Sequence, residues 1–148
     1  MTIKTHDFNP AKFHGTVQQN CFVCSKSNPC GLHLDFHYDE HSNCFCSEFQ
    51  PDGWAQDYNG VPHGGIISAI FDGAMANCLF AQDVTAVNAE PKIRFKQTLE
   101  LEKNSIARAW IKNSSNTLYI LDAEIVQYRQ IKASAMGKFV SKPEQADI

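Results

Sequence analysis

Between Tyr58 and Phe80 the chain reads YNGVPHGGIISAIFDGAMANCLF, a stretch with few reactive groups. Gly64 and Gly65 follow His63 where a helix would begin, and one carboxylate, Asp72, stands nine positions after the histidine. A helix start carries N–H groups without partners and the positive end of the dipole, and glycine lets a ligand carbonyl come close to them. Asp72 lies among apolar and small residues, where lost hydration raises a carboxylate's proton affinity toward that of a useful base. A donor for a developing oxyanion together with a base or nucleophile is what attack on a carbonyl requires. His63 fits either a backbone bond that holds the turn or a contact with substrate. Gly64 and Gly65 alone would equally serve tight helix–sheet packing, so the downstream acid is what gives them meaning. Asn59 suits the turn, as asparagine commonly does, or positions a water.

A helix must carry these groups. Ile66, Ile67, Ile70, Phe71, Ala74, Met75, Cys78 and Leu79 recur at i, i+1, i+4 and i+5 and make one bulky face. On the other face Gly65, Ser68, Ala69, Gly73 and Ala76 are small and surround Asp72. A helix apolar nearly all round is buried, and a lone aspartate inside it is costly unless paired, hydrogen-bonded or beside water. With 63–72 helical, a rise of ~1.5 Å per residue sets Asp72 roughly 13 Å from the helix start, so one carbonyl cannot meet both ends within one chain. Two antiparallel copies about a two-fold axis would bring one chain's Asp72 beside the other's Gly64, and Ser68, Ala69, Gly73 and Ala76 permit that approach. These sterics predict an obligate homodimer with composite sites.

The rest of the chain must surround that helix. Its 148 residues suffice for one domain with a sizeable core. At 43% apolar and 20% charged it is an ordinary globular composition, and a net charge of -3 gives no footprint for nucleic acid or an anionic membrane. Lys4, His6 and Asp7 interrupt any leader-like run, and His63, Asp72 and Asn77 interrupt the helix as a membrane span, so a cytoplasmic protein is expected. Residues 1–20 read as an arm, 21–140 as a single domain and 141–148 as a tail. LHLDFHY (32–38) alternates as a half-buried strand, DEHSN (39–43) is a turn, and CFCSEF (44–49) is the return strand. Beyond the helix, 84–95 is an edge or bulged strand because of Pro91, followed by strands at 105–112, 117–128 and 131–140, with a hairpin turn at NSSN (113–116). The fold class is α+β, a curved antiparallel sheet wrapped around one long helix. The small-residue face is left for a partner chain or a ligand channel.

Cysteine spacing raises a separate question. Cys21-x-x-Cys24, Cys30 and Cys44-x-Cys46, with His33, His37 or His41 nearby, are candidates for a metal site or a redox pair. The second half is not CxxC, and Cys44 and Cys46 share a strand face as small hydrophobes, so reduced structural cysteines are expected instead.

CFVCSKSNPCGLHLDF (21–36), YNGVPHGGIISAIFDGAMA (58–76), VNAEPKIRFK (87–96) and MGKFV (136–140) together resemble the hotdog-fold thioesterase superfamily, in its phenylacetate-pathway (PaaI-like) acyl-CoA thioesterase branch. The HGG with an acid nine residues after the histidine is the specific part. The resemblance implies a hotdog fold, a homodimer that often pairs into a homotetramer, sites at the subunit interface, and acyl-CoA hydrolysis with no metal and no cofactor. It makes Asp72 the general base or nucleophile, gives the Gly64 N–H the polarising of the thioester carbonyl, and has His63 hold the turn or the substrate. Asn59 and Gly65 would lie against substrate. Lys92, Arg94 and Lys96 alternate with Ile93 and Phe95, a basic strand face that is either solvated or meets the phosphates of coenzyme A. Two positions depart from the pattern. Asp57 stands six before the histidine, where relatives often carry Asn or Gln to orient water, and Ala76 stands four after the acid, where others carry Ser or Thr. The expected activity is hydrolysis of a small or medium acyl-CoA, or of an acyl-carrier thioester. A hydratase would need a DxNPxH-like run that is not present. A non-catalytic acyl-CoA or lipid-binding module is the alternative that Asp57 and Ala76 keep open.

Overall fold

The computed structural model describes residues 21–53, 56 and 60–141. The arm expected over 1–20, Asp57, Asn59, and all but the first residue of the expected tail lie outside them. In chain order the elements are β1 (His37–Asp39), β2 (Cys44–Phe49), α1 (Gly64–Phe80), β3 (Ala86–Phe95), β4 (Ser105–Ser115), β5 (Leu118–Gln127) and β6 (Gln130–Ser141). The six strands make one antiparallel sheet in the order β1-β2-β4-β5-β6-β3, with α1 lying against it. This is the predicted α+β arrangement of a curved sheet around one helix.

The register shows why the helix sits where it does. Phe45, Ala109, Ala123 and Ala135 are cross-strand partners in one row, and Ser47, Ala107, Ile125 and Ala133 in the next; all of them are buried. Alanines make a low floor, and Ile67, Ile70, Phe71 and Met75 of α1 fill the space above it to interior density. Each of these large side chains contributes about 1.5–3 kcal/mol by leaving water. The outer rows instead carry charge, with Arg108 Nη2 and Glu124 Oε2 paired at 2.6 Å.

Two expected boundaries move, each for a local reason. Of the strand expected at 32–38, only His37 and Tyr38 pair with β2, and the pairing runs on to Asp39. Leu32 and Leu34 donate their N–H groups to Phe22 O and Val23 O, both at 2.8 Å, and His33 turns to φ 56°. The alternation there records the burial of Leu34 and Phe36, not membership of the ladder. The turn expected at 113–116 is displaced because a bulge between Ile111 and Asn113 carries β4 on to Ser115. The chain reverses at the last of the four expected turn residues, Asn116, whose φ of 52° lies in the left-handed region that asparagine tolerates. Pro91 is on the outermost strand, and β3 is also bulged, between Asn88 and Glu90.

The small face of α1 is partly covered from within the chain. Gly73 is buried, and a Cβ there would lie 2.5 Å from Val23 Cγ1 and 2.8 Å from Val23 Cβ. Gly65 and Asp72 stay exposed, and Ser68, Ala69 and Ala76 half-buried. Glycine inside a helix normally costs about 1 kcal/mol against alanine. Here the sign should reverse, because valine is stiff at χ1 and its Cβ cannot swing away. Gly73→Ala should therefore destabilise the fold by about 1–3 kcal/mol, and Val23→Ala in the same chain should recover most of the loss. Urea unfolding of the two variants measures this; a more stable Gly73→Ala single variant would refute the close contact.

Candidate functional site

His63 caps α1. Its backbone is extended at φ -64° and ψ 131°, and its Nδ1 accepts the Gly65 N–H at 2.8 Å. The N–H groups of Ile66 and Ile67 turn back to His63 O at 3.0 and 3.1 Å. Among the described residues no acceptor takes the Gly64 N–H, so it is the donor left open in the first turn. A Cβ on Gly65 would crowd the His63 ring at 3.0 Å, which ties that glycine to the cap.

Gly64 opens on a cavity of about 360 Å³ with Val61, Pro62, Ile67, Phe95 and Leu99 in its walls. The far wall is held to the sheet by backbone bonds, since Lys96 and Gln97 both donate to Lys132 O. Behind it the buried Gln127 accepts the Glu100 N–H and donates to Glu100 O, each at 2.9 Å. Phe95 is 55% exposed in the single chain although it borders this apolar space. An aromatic ring left in water beside an apolar cleft is the surface expected where something else docks.

Asp72 is further along the same helix, eight residues from Gly64, or about 12 Å at the helical rise. Its carboxylate is exposed in the single chain, yet its neighbours remove enough water to hold its pKa above the ordinary aspartate value. One bond opposes that shift: Asn88 Nδ2 donates to Asp72 Oδ1 at 3.4 Å. Asn88 is on β3 where the strand is bulged, and its Oδ1 is buried with no partner. A Cβ on Gly137 of β6 would lie 2.8 Å from Phe139 Cε1, 3.0 Å from Met75 Sδ and 3.2 Å from Asn88 Nδ2, so glycine there leaves room for the core as well as for the amide. The sequence reading missed Asn88. Its signal was an amide within an otherwise strand-like run, a residue type that strands disfavour, three positions before a proline.

The structure therefore brings His63, Gly64 and Gly65 together at the helix start and pairs Asp72 with Asn88 farther along. Lys92 and Arg94 are on the other side of the sheet. Their cross-strand partners are Met136 and Ser134, in the outer rows that continue to Asp122, Trp110, Glu124 and Arg108. Lys92 Nζ is 3.6 Å from Glu90, which also holds Lys138 at 3.2 Å. Asn59 lies outside the described residues. Among the described residues no three His, Cys, Asp or Glu side chains cluster as a metal site, and no helix is long and apolar enough to cross a membrane.

No protein-family model matches the sequence, and no curated protein does. The architecture does match solved structures. A thioesterase superfamily protein superposes with a TM-score of 0.74 at 14% identity, over 80% of this chain and 61% of that one. PaaI of E. coli, from the phenylacetic acid degradation operon, gives 0.68 at 22% identity, over 74% of this chain and 83% of its own. A Streptococcus mutans protein bound to acetyl-CoA gives 0.68 at 15% identity, over 74% and 88%. This chain has the hotdog fold.

On this hotdog scaffold Asp72 has a measurable cost. Its raised pKa means that the folded chain binds more protons than the unfolded one between the ordinary aspartate value and the raised one. Stability from this group is therefore lost as pH rises through that window. Asp72→Asn removes the penalty, so at neutral pH the variant should unfold at a urea midpoint equal to or above that of the natural protein. The difference should close below the window. A clearly lower midpoint at neutral pH would make Asp72 a structural carboxylate.

Proposed function

We propose that the protein hydrolyses a small or medium acyl thioester of coenzyme A or of an acyl carrier, at sites built across a homodimer. The observation that carries this reading is the division of labour on one helix: an open amide over an apolar cleft at its start, and a desolvated carboxylate on its small face. The Gly64 N–H and the helix dipole stabilise the oxyanion that forms when the thioester carbonyl is attacked. Asp72 either takes a proton from the attacking water or attacks the carbonyl itself. Asn88 orients the carboxylate and keeps it ionised at a lower pH than desolvation alone would allow. His63 keeps the first turn open by occupying the Gly65 amide. The thiolate leaves, and no step requires a metal. Structures of the same fold with acetyl-CoA or CoA bound support the substrate class. The phosphates of coenzyme A would reach Lys92 and Arg94 only by passing round the free edge of β3.

Because Gly64 and Asp72 are too far apart for one carbonyl, the two halves of a site come from different chains. Gly64 is the first helical residue, where proline is well tolerated, and the extended His63 before it suits a following proline. Gly64→Pro thus removes one donor with little change in fold. It should lower turnover about 10²–10³-fold, and Asp72→Asn about 10²–10⁴-fold with acyl-CoA binding retained. Mixing the two inactive variants under subunit exchange should restore about a quarter of the natural rate, since half the dimers hold one intact site of two. No recovery on mixing would place both groups' work within one chain. Ligand binding without turnover in the natural protein would favour the binding module.

The acid side of the rate profile tests the carboxylate itself. Asp72 works as its anion, so kcat/KM should fall with decreasing pH through a midpoint above the ordinary aspartate range. Asn88→Ala removes the one donor that lowers this pKa, so that midpoint should move to higher pH. An unmoved midpoint would separate Asn88 from the chemistry.

A further inference from the structure

Cys21 and Cys24 occupy one turn laid across the helix, and the acyl chemistry makes no use of them. Ser25 N–H bonds to Cys21 O at 3.1 Å, closing a single α-type turn that puts side chains three positions apart on the same side. The turn is fastened in place. Phe22 O and Val23 O accept the Leu32 and Leu34 N–H groups, and the Val23 side chain fills the space over Gly73. Gly31 approaches Phe22 O so closely that a Cβ there would lie 2.7 Å from it.

The turn sets the two thiols side by side, but their surroundings are unlike. Cys21 is half-buried, whereas Cys24 is buried and also meets the buried Asn77. The neighbouring Cys24 thiol holds Cys21 below the usual thiol range, although burial and the nearby charge of Asp72 both work against it. The same neighbour, with burial, pushes Cys24 up. The pair therefore favours the anion on its open side and the thiol behind it, the arrangement of reactive Cys-x-x-Cys motifs. The other described cysteines lack it. Cys30 is exposed, Cys44 and Cys78 are buried, and burial pushes Cys46 up to about 11.

We propose that Cys21 and Cys24 are a reversible dithiol–disulfide pair, a site of modification by hydrogen peroxide on the flank of the helix that carries Asp72. The Cys21 thiolate attacks one peroxide oxygen, the O–O bond breaks, and the departing hydroxide takes up a proton as water, leaving Cys21 as a sulfenic acid. With the Cys21 anion gone, the neighbouring charge that kept the proton on Cys24 is removed. Cys24 sulfur then attacks Cys21 sulfur, the S–O bond breaks, and the departing hydroxide leaves as water with the Cys24 proton. In total two thiols lose two electrons, peroxide gains them, and one disulfide and two waters result. A dithiol reductant reverses the change by thiolate exchange.

The test uses the full chain and does not depend on its activity. The reduced protein is treated with a small excess of hydrogen peroxide, its remaining thiols are alkylated in denaturant, and its peptides are mapped by mass. The peptide holding Cys21 and Cys24 should be unalkylated and lighter by two hydrogens, while Cys30, Cys44, Cys46 and Cys78 are alkylated; dithiothreitol beforehand should restore alkylation at both. In Cys24→Ser, where no second thiol can resolve it, dimedone should capture a sulfenic acid on Cys21. In Cys21→Ser, Cys24 should stay alkylatable after peroxide, which keeps the test decisive if the buried Cys24→Ser variant does not fold. Full alkylation of both cysteines in the peroxide-treated natural protein, or first oxidation of the exposed Cys30, overturns the proposal.

Discussion

A single helix here has to meet two unlike surroundings, and the sheet decides which way round it lies. The inner rows are largely alanine, so the only side chains that fill the space above them are the large ones on one face of α1. Turning the helix by half a revolution would set Asp72 over that floor without a charged partner and leave Ile67, Phe71 and Met75 in water. Both changes are costly, and together they make the observed orientation the stable one. The carboxylate is thus held at the surface by the core beneath it.

That orientation also determines what can assist the carboxylate. Asp72 is next to the outermost strand, where a bulge turns Asn88 toward the helix. A regular strand would have carried the amide one step further along the ladder and changed the face it presents. The bulge thus goes with one juxtaposition, an amide against a carboxylate. At the other end of α1, His63 uses its ring to occupy one amide and so leaves its neighbour open. Both arrangements spend local regularity on polar geometry, as functional sites commonly do.

The 21–34 segment adds a third layer that a sheet-and-helix description leaves out. It does not join the ladder until His37, and its backbone bonds are made within itself. Val23 closes over the one glycine of α1 that is fully covered, which reserves the remaining small residues for whatever meets the helix from outside. The Cys-x-x-Cys turn is held in place by the same contacts, close enough to Asp72 for the two charges to act on each other.

Much of this could be read without coordinates. The helix, its two faces, the acid nine residues after the histidine, and the edge character of the strand with Pro91 are all local features. They depend on a period of 3.6 or 2, on a cap, or on a missing N–H, and those are written in neighbouring residues. Tertiary structure alone decided the rest. Asn88 reaches Asp72 through the lateral stacking of strands, Val23 covers Gly73 through a turn distant in the chain, and Lys92 and Arg94 face away from the helix because their row of the sheet is the outer one. Such contacts depend on the register and order of strands, which local spacing does not encode. The sequence by itself determined which groups could react; the packing of strand against strand decided which of them meet.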